Sequence, residues 1–196
     1  MEYYRDKKEI VCNKKLNNLD EFVLEFCSNL KEYVIVSGYV SIVFGRSRNT
    51  EDIDLLIPKM KLSDFIELFD NLLNKGFECM NTSNPKEAFE MLKEHAIRFY
   101  KKNNPIPNIE FKIIKNDLDR YSYENKIKIK LGNYFLFISP LEMQIAYKLF
   151  LSSEVADKDI EDARYLYKVF KEKIDKDKLI LLSNKLNVEK RIEEIE

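Results

Sequence analysis

The run VSGYVSIVFGRSRNTEDIDLLIP, residues 36–58, limits what this chain can fold into more than any other stretch. Its last third sets Asp52 and Asp54 one residue apart among Ile and Leu. An Ile- and Leu-rich segment closed by a proline reads as a buried strand. Strands alternate faces, so the two carboxylates point together while Ile53, Leu55 and Ile57 point the other way. Their Cα atoms then lie about 6–7 Å apart. Like charges at that spacing need a cation, a proton or solvent to relieve them. Just upstream, YVIVS predicts a short strand entering Ser37-Gly38, and YVSIVF a short helix ended by Gly45.

The remaining chain alternates similar signals. NLDEFVLEFCSNLKEY spaces Phe22, Val23, Phe26, Cys27 and Leu30 as a helix, with Asn18 and Glu21 as a capping box. LSDFIELFDNLLNKG reads as an amphipathic helix with Ser63 as N-cap and Gly76 past its end. NPKEAFEMLKEH starts on Asn84 with Pro85 in the first helical position. AIRFY and IEFKII read as strands separated by the turn KKNNPIPN, and KIKIKLGNYFLFIS as a hairpin. SPLE opens a helix at Ser139, and further helices are expected over residues 158–170 and 177–186. The expected class is α/β (α+β): a mixed sheet with helices packed on it, residues 1–138, followed by a helical extension, 139–196.

Charge narrows the partners. Lys+Arg 33 against Asp+Glu 34 leaves a net charge of −1, so no global field points to nucleic acid or a membrane surface. The hydrophobic fraction of 45% is that of a globular chain. Three cysteines (Cys12, Cys27, Cys79) are odd in number and lack CxxC spacing, which fits buried free thiols in a reducing compartment. With no secretory-type leader and no apolar run of about 20 residues, a cytoplasmic protein is expected. A single histidine, His95, closes a helix and reads as structural, and triad acyl transfer has no support.

The acidic strand and the bend before it share a chemical logic. Ser37-Gly38 lets a phosphate approach the backbone at a helix N-terminus, where free N–H groups favour an anion. Asp52 and Asp54 offer oxygen ligands to Mg²⁺, which keeps substrate phosphates in its shell. IEFKII adds a third carboxylate, Glu110, on the same face as Lys112. Glu110 suits either a role at the site or simple pairing with Lys112. Such an acidic set serves in-line displacement at phosphorus.

Ser37-Gly38, followed after thirteen residues by Asp52-Ile53-Asp54, resembles the nucleotidyltransferase signature of the DNA polymerase β superfamily. The run GYVSIVFGRSRNTEDIDLLI is similar to small prokaryotic and archaeal nucleotidyltransferase-like proteins, among them relatives of AbiEii-type toxins. ISPLEMQIAYKLFLSSEVADKDIEDA resembles that family's downstream region, with Lys148 on one helix and Asp159 and Asp162 on the next. The resemblance implies transfer of a nucleoside monophosphate from a nucleoside triphosphate to an acceptor: a protein, a tRNA or other RNA end, or a small molecule. It also implies Mg²⁺, or Mn²⁺, on Asp52 and Asp54, phosphate on Ser37 and Gly38, and acceptor activation by Glu110. Two departures stand out: Ser37 replaces the usual first Gly, and Glu110 is one methylene longer than the family's Asp. They set the alternative, a non-catalytic module of this fold, such as a toxin–antitoxin component or the subunit of a partner protein or homo-oligomer.

Other residues carry two readings each. Arg46 and Arg48 suit bidentate contacts to triphosphate oxygens, or pairing with Glu51 or Asp52. Thr50 either joins them or stiffens the loop. Lys148, beside a buried stripe, either snorkels outward or reaches phosphates. Asp159 and Asp162 are neighbours on a helix surface: the resemblance makes them nucleotide-binding residues, whereas structurally Asp159 suits the dipole and Asp162 suits pairing with Lys158. The lysines of KIKIK read as edge protection, and Tyr121 and Tyr123 as packing residues or a base-stacking pair.

Overall fold

The strands that bear Asp54 and Glu110 pair directly, at the centre of a nine-stranded mixed sheet. The computed structural model describes residues 1–152 and 157–196. In chain order the strands are β1 (Glu2–Tyr4), β2 (Glu9–Val11), β3 (Val34–Val36), β4 (Asp52–Ile57), β5 (Phe77–Cys79), β6 (Ile97–Lys101), β7 (Asn104–Ile113), β8 (Ile127–Leu131) and β9 (Tyr134–Ile138). The helices are α1 (Asn18–Cys27), α2 (Gly38–Val43), α3 (Leu62–Asn74), α4 (Pro85–Glu94), α5 (Asp117–Glu124), α6 (Leu141–Leu151), α7 (Asp157–Phe170) and α8 (Lys176–Lys185). The sheet order is β1-β2-β8-β9-β3-β4-β7-β6-β5, so the mixed α/β class is as expected.

One sheet face is apolar. Ile53, Leu55 and Ile57 of β4, Ile109, Phe111 and Ile113 of β7, and Ile97 and Phe99 of β6 all lie in the core. Helices α1, α3 and α4 cover it: Phe26 packs on Phe77, Phe99 and Phe111, Phe69 on Phe99, and Phe65 on Phe89. On the opposite face β4 offers Asp52 and Asp54 and β7 offers Asn108, Glu110 and Lys112. Phe44 at the end of α2 packs edge-on against Phe170 of α7, with ring centroids 4.8 Å apart. Tyr165 donates to the Phe44 carbonyl at 3.0 Å. Among the described residues no helix is long and apolar enough to cross a membrane.

Several local expectations shift, each for a physical reason. The capping box of α1 uses Asn17 and Asp20, one residue before the expected pair. Asp20 is wholly buried, where Lys14 at 2.8 Å and the Tyr39 hydroxyl at 2.9 Å satisfy it. That helix ends at Cys27, because Ser28 and Asn29 side chains donate back to the Glu25 carbonyl at 2.7 and 2.8 Å. Helix α3 starts at Leu62 rather than after Ser63, whose hydroxyl turns to Asp64 instead. In α6, Pro140 is the capping residue and the Ser139 hydroxyl donates to Ser122, so no side chain caps the helix. Strand β7 runs through Asn104 to Ile113, which shortens the expected turn before it. Strand β8 is flanked by β2 and β9, so its lysines protect no edge. Lys130 instead pairs with Glu9 at 3.0 Å.

Candidate functional site

Register places the pieces. Val36, the last residue of β3, pairs with Asp54, and Asp54 pairs in turn with Glu110 of parallel β7. The chain therefore leaves β3 into Ser37-Gly38 directly beside the acidic strand. Asp52, Asp54 and Glu110 share one face, with Asn108 opposite Asp52. Thr50 donates to the Asp52 carbonyl at 2.7 Å and stiffens the loop entering β4.

The acidic face carries its own cation. Lys112 Nζ is 2.7 Å from Asp54 and 3.3 Å from Glu110, while Arg98 reaches Glu110 at 3.6 Å. Burial disfavours the charged form of Lys112, but the Asp54 and Glu110 carboxylates outweigh it and hold the ammonium's pKa above its ordinary value. Glu110 thus makes the lysine pairing that was its structural reading. Among the described residues no three His, Cys, Asp or Glu side chains converge as a metal-holding group.

The Ser37-Gly38 bend has an unusual backbone. Ser37 has φ 63° and ψ −138°, a region open to glycine that strains a residue with a Cβ by about 1–3 kcal/mol. Gln144, 2% exposed on α6, grips this peptide on both sides. The Ser37 N–H donates to Gln144 Oε1 at 3.1 Å, and Gln144 Nε2 donates to the Ser37 carbonyl at 2.8 Å. At Gly38 a Cβ would collide with Arg48 Nη2 and lie 3.2 Å from its Cζ, so any side chain there would displace that guanidinium.

Arg46 and Arg48 pair with neither Glu51 nor Asp52. Both reach Asp162 of α7, Arg46 Nη1 at 2.7 Å and Arg48 Nη1 at 2.9 Å. Lys148, one turn after Gln144 on α6, is 1% exposed and joins the same cluster. Its ammonium lies 2.5 Å from Asp159 and 3.0 Å from Asp162. The expected Lys158–Asp162 pairing is replaced by these three cations, because Asp162 faces inward at 0% exposure. Among the described residues, three cations face two carboxylates in this cluster. Arg48 Nε is buried with no hydrogen-bond partner among the described residues.

A cleft of about 460 Å³ opens on the polar sheet face, lined by Ser37, Asp54, Leu56, Lys112, Met143 and Tyr147, among others. A broader groove of about 1060 Å³ flanks the loop on its other side and includes Arg46, Arg48, Thr50 and Glu51. His95 lines the first cleft from the end of α4. Tyr123 is engaged elsewhere, donating to Glu32 at 2.9 Å, and Tyr121 packs against the core.

Sequence reasoning missed Gln144. The signal was a polar amide four residues before Lys148 inside an otherwise apolar helical stripe. The sequence pattern pairs Lys112 with Glu110 alone, whereas in the fold it neutralises Asp54 as well.

No family model matches the sequence, and no curated protein matches it. Solved structures do. The solution structure of the antibiotic-resistance factor ANT(2'')-Ia matches with a TM-score of 0.54 and 13% identity, over 90% of this chain and 93% of that one. An antigenic nucleotidyltransferase-like protein from Paracoccidioides brasiliensis matches with a TM-score of 0.52 and 15% identity, over 87% of this chain and 86% of that one. With the sheet, the bend and the acidic strand in this arrangement, the chain has the nucleotidyltransferase fold.

Proposed function

We propose that the protein is a nucleotidyltransferase, moving a nucleoside monophosphate from a nucleoside triphosphate to an acceptor. The observation that carries this reading is the pairing of Val36 with Asp54, which sets the Ser37-Gly38 bend against the acidic strand. The acceptor oxygen attacks the α-phosphorus as the bond to the β-phosphate breaks, and pyrophosphate leaves. Ser37 and Gly38 seat phosphate, and Arg48, stretched across Gly38, adds a cationic edge. Glu110 takes the acceptor's proton.

Asp52 and Asp54 are hard oxygen donors on one strand face, the kind of set that Mg²⁺ or Mn²⁺ accepts when phosphate oxygens and water complete its shell. The ion would supply charge neutralisation at the transferred phosphate. Lys112, on a flexible stem, gives way to it. In this reading the cleft, within the roughly 300–1,000 Å³ typical of small-molecule sites, holds the NTP, and the acceptor is a protein, an RNA end or a small molecule. A kinship with AbiEii-type toxins, resting on the blocks around Asp52, Lys148 and Asp162, belongs to the same proposal.

Incubation with each labelled NTP and Mg²⁺ or Mn²⁺ tests it. Pyrophosphate release or label transfer is expected with the native protein and none with D52N/D54N. Activity that survives the double substitution defeats the site assignment. A second reading, a non-catalytic module of this fold, is favoured by one observation: Lys112 already occupies the acidic face. It predicts nucleotide binding without pyrophosphate release under every NTP and metal.

A further inference from the structure

We infer that Gln144 is a positioning residue that lets a serine hold the glycine-type bend on which the proposed phosphate seat is built. The functional consequence rests on the nucleotidyltransferase reading, whereas the conformational claim does not. Ser37 adopts φ 63° and ψ −138°, where a Cβ is disfavoured, so something outside the bend must hold it there. The only side chain bonded to both the N–H and the carbonyl of Ser37 among the described residues is Gln144. Gln144 itself is buried, while Ser37 is half-buried at the cleft wall, so the clamp reaches the bend from the protein side. Glycine would need no such clamp.

The consequence for ligand binding is specific. The Ser37 N–H is already spent on Gln144, so anion contacts at the bend fall to the amides that follow it and to the Ser37 hydroxyl. The clamp fixes the directions of those groups. Gln144 thus acts through Ser37 and touches no reacting atom.

Hydrogen exchange over residues 36–44 tests the conformational claim. In Q144M, which keeps length and loses both polar atoms, exchange should rise about tenfold or more, as expected for losing one or two net hydrogen bonds. Adding S37G should return it to within about threefold of wild type, since glycine takes the bend unaided. Q144E turns the donor end into an oxygen facing the Ser37 carbonyl and should raise exchange at least as much as Q144M, which keeps the test open even if Q144M folds poorly. Wild-type exchange in Q144E, or a loss in Q144M that S37G leaves unchanged, overturns the inference.

The dissociation constant of each NTP with Mg²⁺, measured by calorimetry, should follow the same order: weaker by about tenfold in Q144M and recovered in S37G/Q144M. A packing role alone would leave S37G without effect on the weakened binding. If the wild-type protein binds no NTP, the nucleotidyltransferase reading fails, and the exchange series still decides the role of Gln144.

Discussion

Two acidic groupings of similar sequence spacing end up in opposite electrostatic conditions. Asp159 and Asp162 on α7 are buried and saturated, with Lys148, Arg46 and Arg48 on them. Asp52 and Asp54 on β4 are half-buried; Asp54 lines the open cleft, Asp52 does not, and among the described residues only Lys112 pairs with Asp54. A carboxylate enclosed by cations is framework: removing it strands buried charge. A carboxylate on a cleft wall with one partly exposed partner keeps a side open to solvent. Spacing alone makes the two look alike, and burial separates them.

The comparison can be broken, most forcefully at its buried end. D162N takes the shared partner from three cations, and stability in urea should fall by about 3–5 kcal/mol. A loss below about 1 kcal/mol would put Asp162 on the same footing as Asp54. D54N should do the reverse, changing stability by no more than about 1 kcal/mol while transfer activity falls about hundredfold or more. A large drop in stability with activity retained would make Asp54 framework too. K112M sharpens the contrast further: with the resident cation gone, Mn²⁺ should bind about tenfold more tightly by electron paramagnetic resonance titration. Unchanged or weaker binding would mean that the acidic face does not attract divalent ions.

The smallest effect concerns the buried Asp20. Burial, together with Asp20, pushes the Tyr39 phenol well above its ordinary value near 10.0. The folded state therefore keeps a proton that the unfolded chain releases in alkali, and this contribution is complete below about pH 10 and lost as pH rises further. Wild type should lose stability relative to Y39F above that pH in alkaline denaturant titrations. Parallel curves would show that Tyr39 ionises normally.

Much of the centre of the molecule was legible because its patterns are local. The alternation through Asp52 to Ile57 and the cap at Asn84 each depend on neighbours in sequence, and each holds in the fold; the place of the Ser37-Gly38 bend was legible too, but its backbone leans on Gln144 from across the chain. The losses have a common cause. Strand β2 is three residues long and shows one core side chain, Ile10, in a charged segment; its pairing with β8 comes from across the chain. Helix α5, over DLDRYSYE, has a weak apolar stripe and is started by the Asn116 cap on Asp119. At the site, the partner of Arg46 and Arg48 lies more than a hundred residues away, on α7. No spacing rule reports such a contact. Lys112 was within reach of one, since it shares a face with Glu110.

Gln144 and Lys148 stand one helical turn apart on α6, and between them they address the bend from two directions. The first grips Ser37 directly. The second works through Asp162 to Arg48, which crosses Gly38. A chain cut after Ile138 would keep Asp52, Asp54 and Glu110 and forfeit both of these supports. The acidic strand pair comes from the first part of the polypeptide, while the side chains that brace the Ser37-Gly38 bend beside it are supplied by the last.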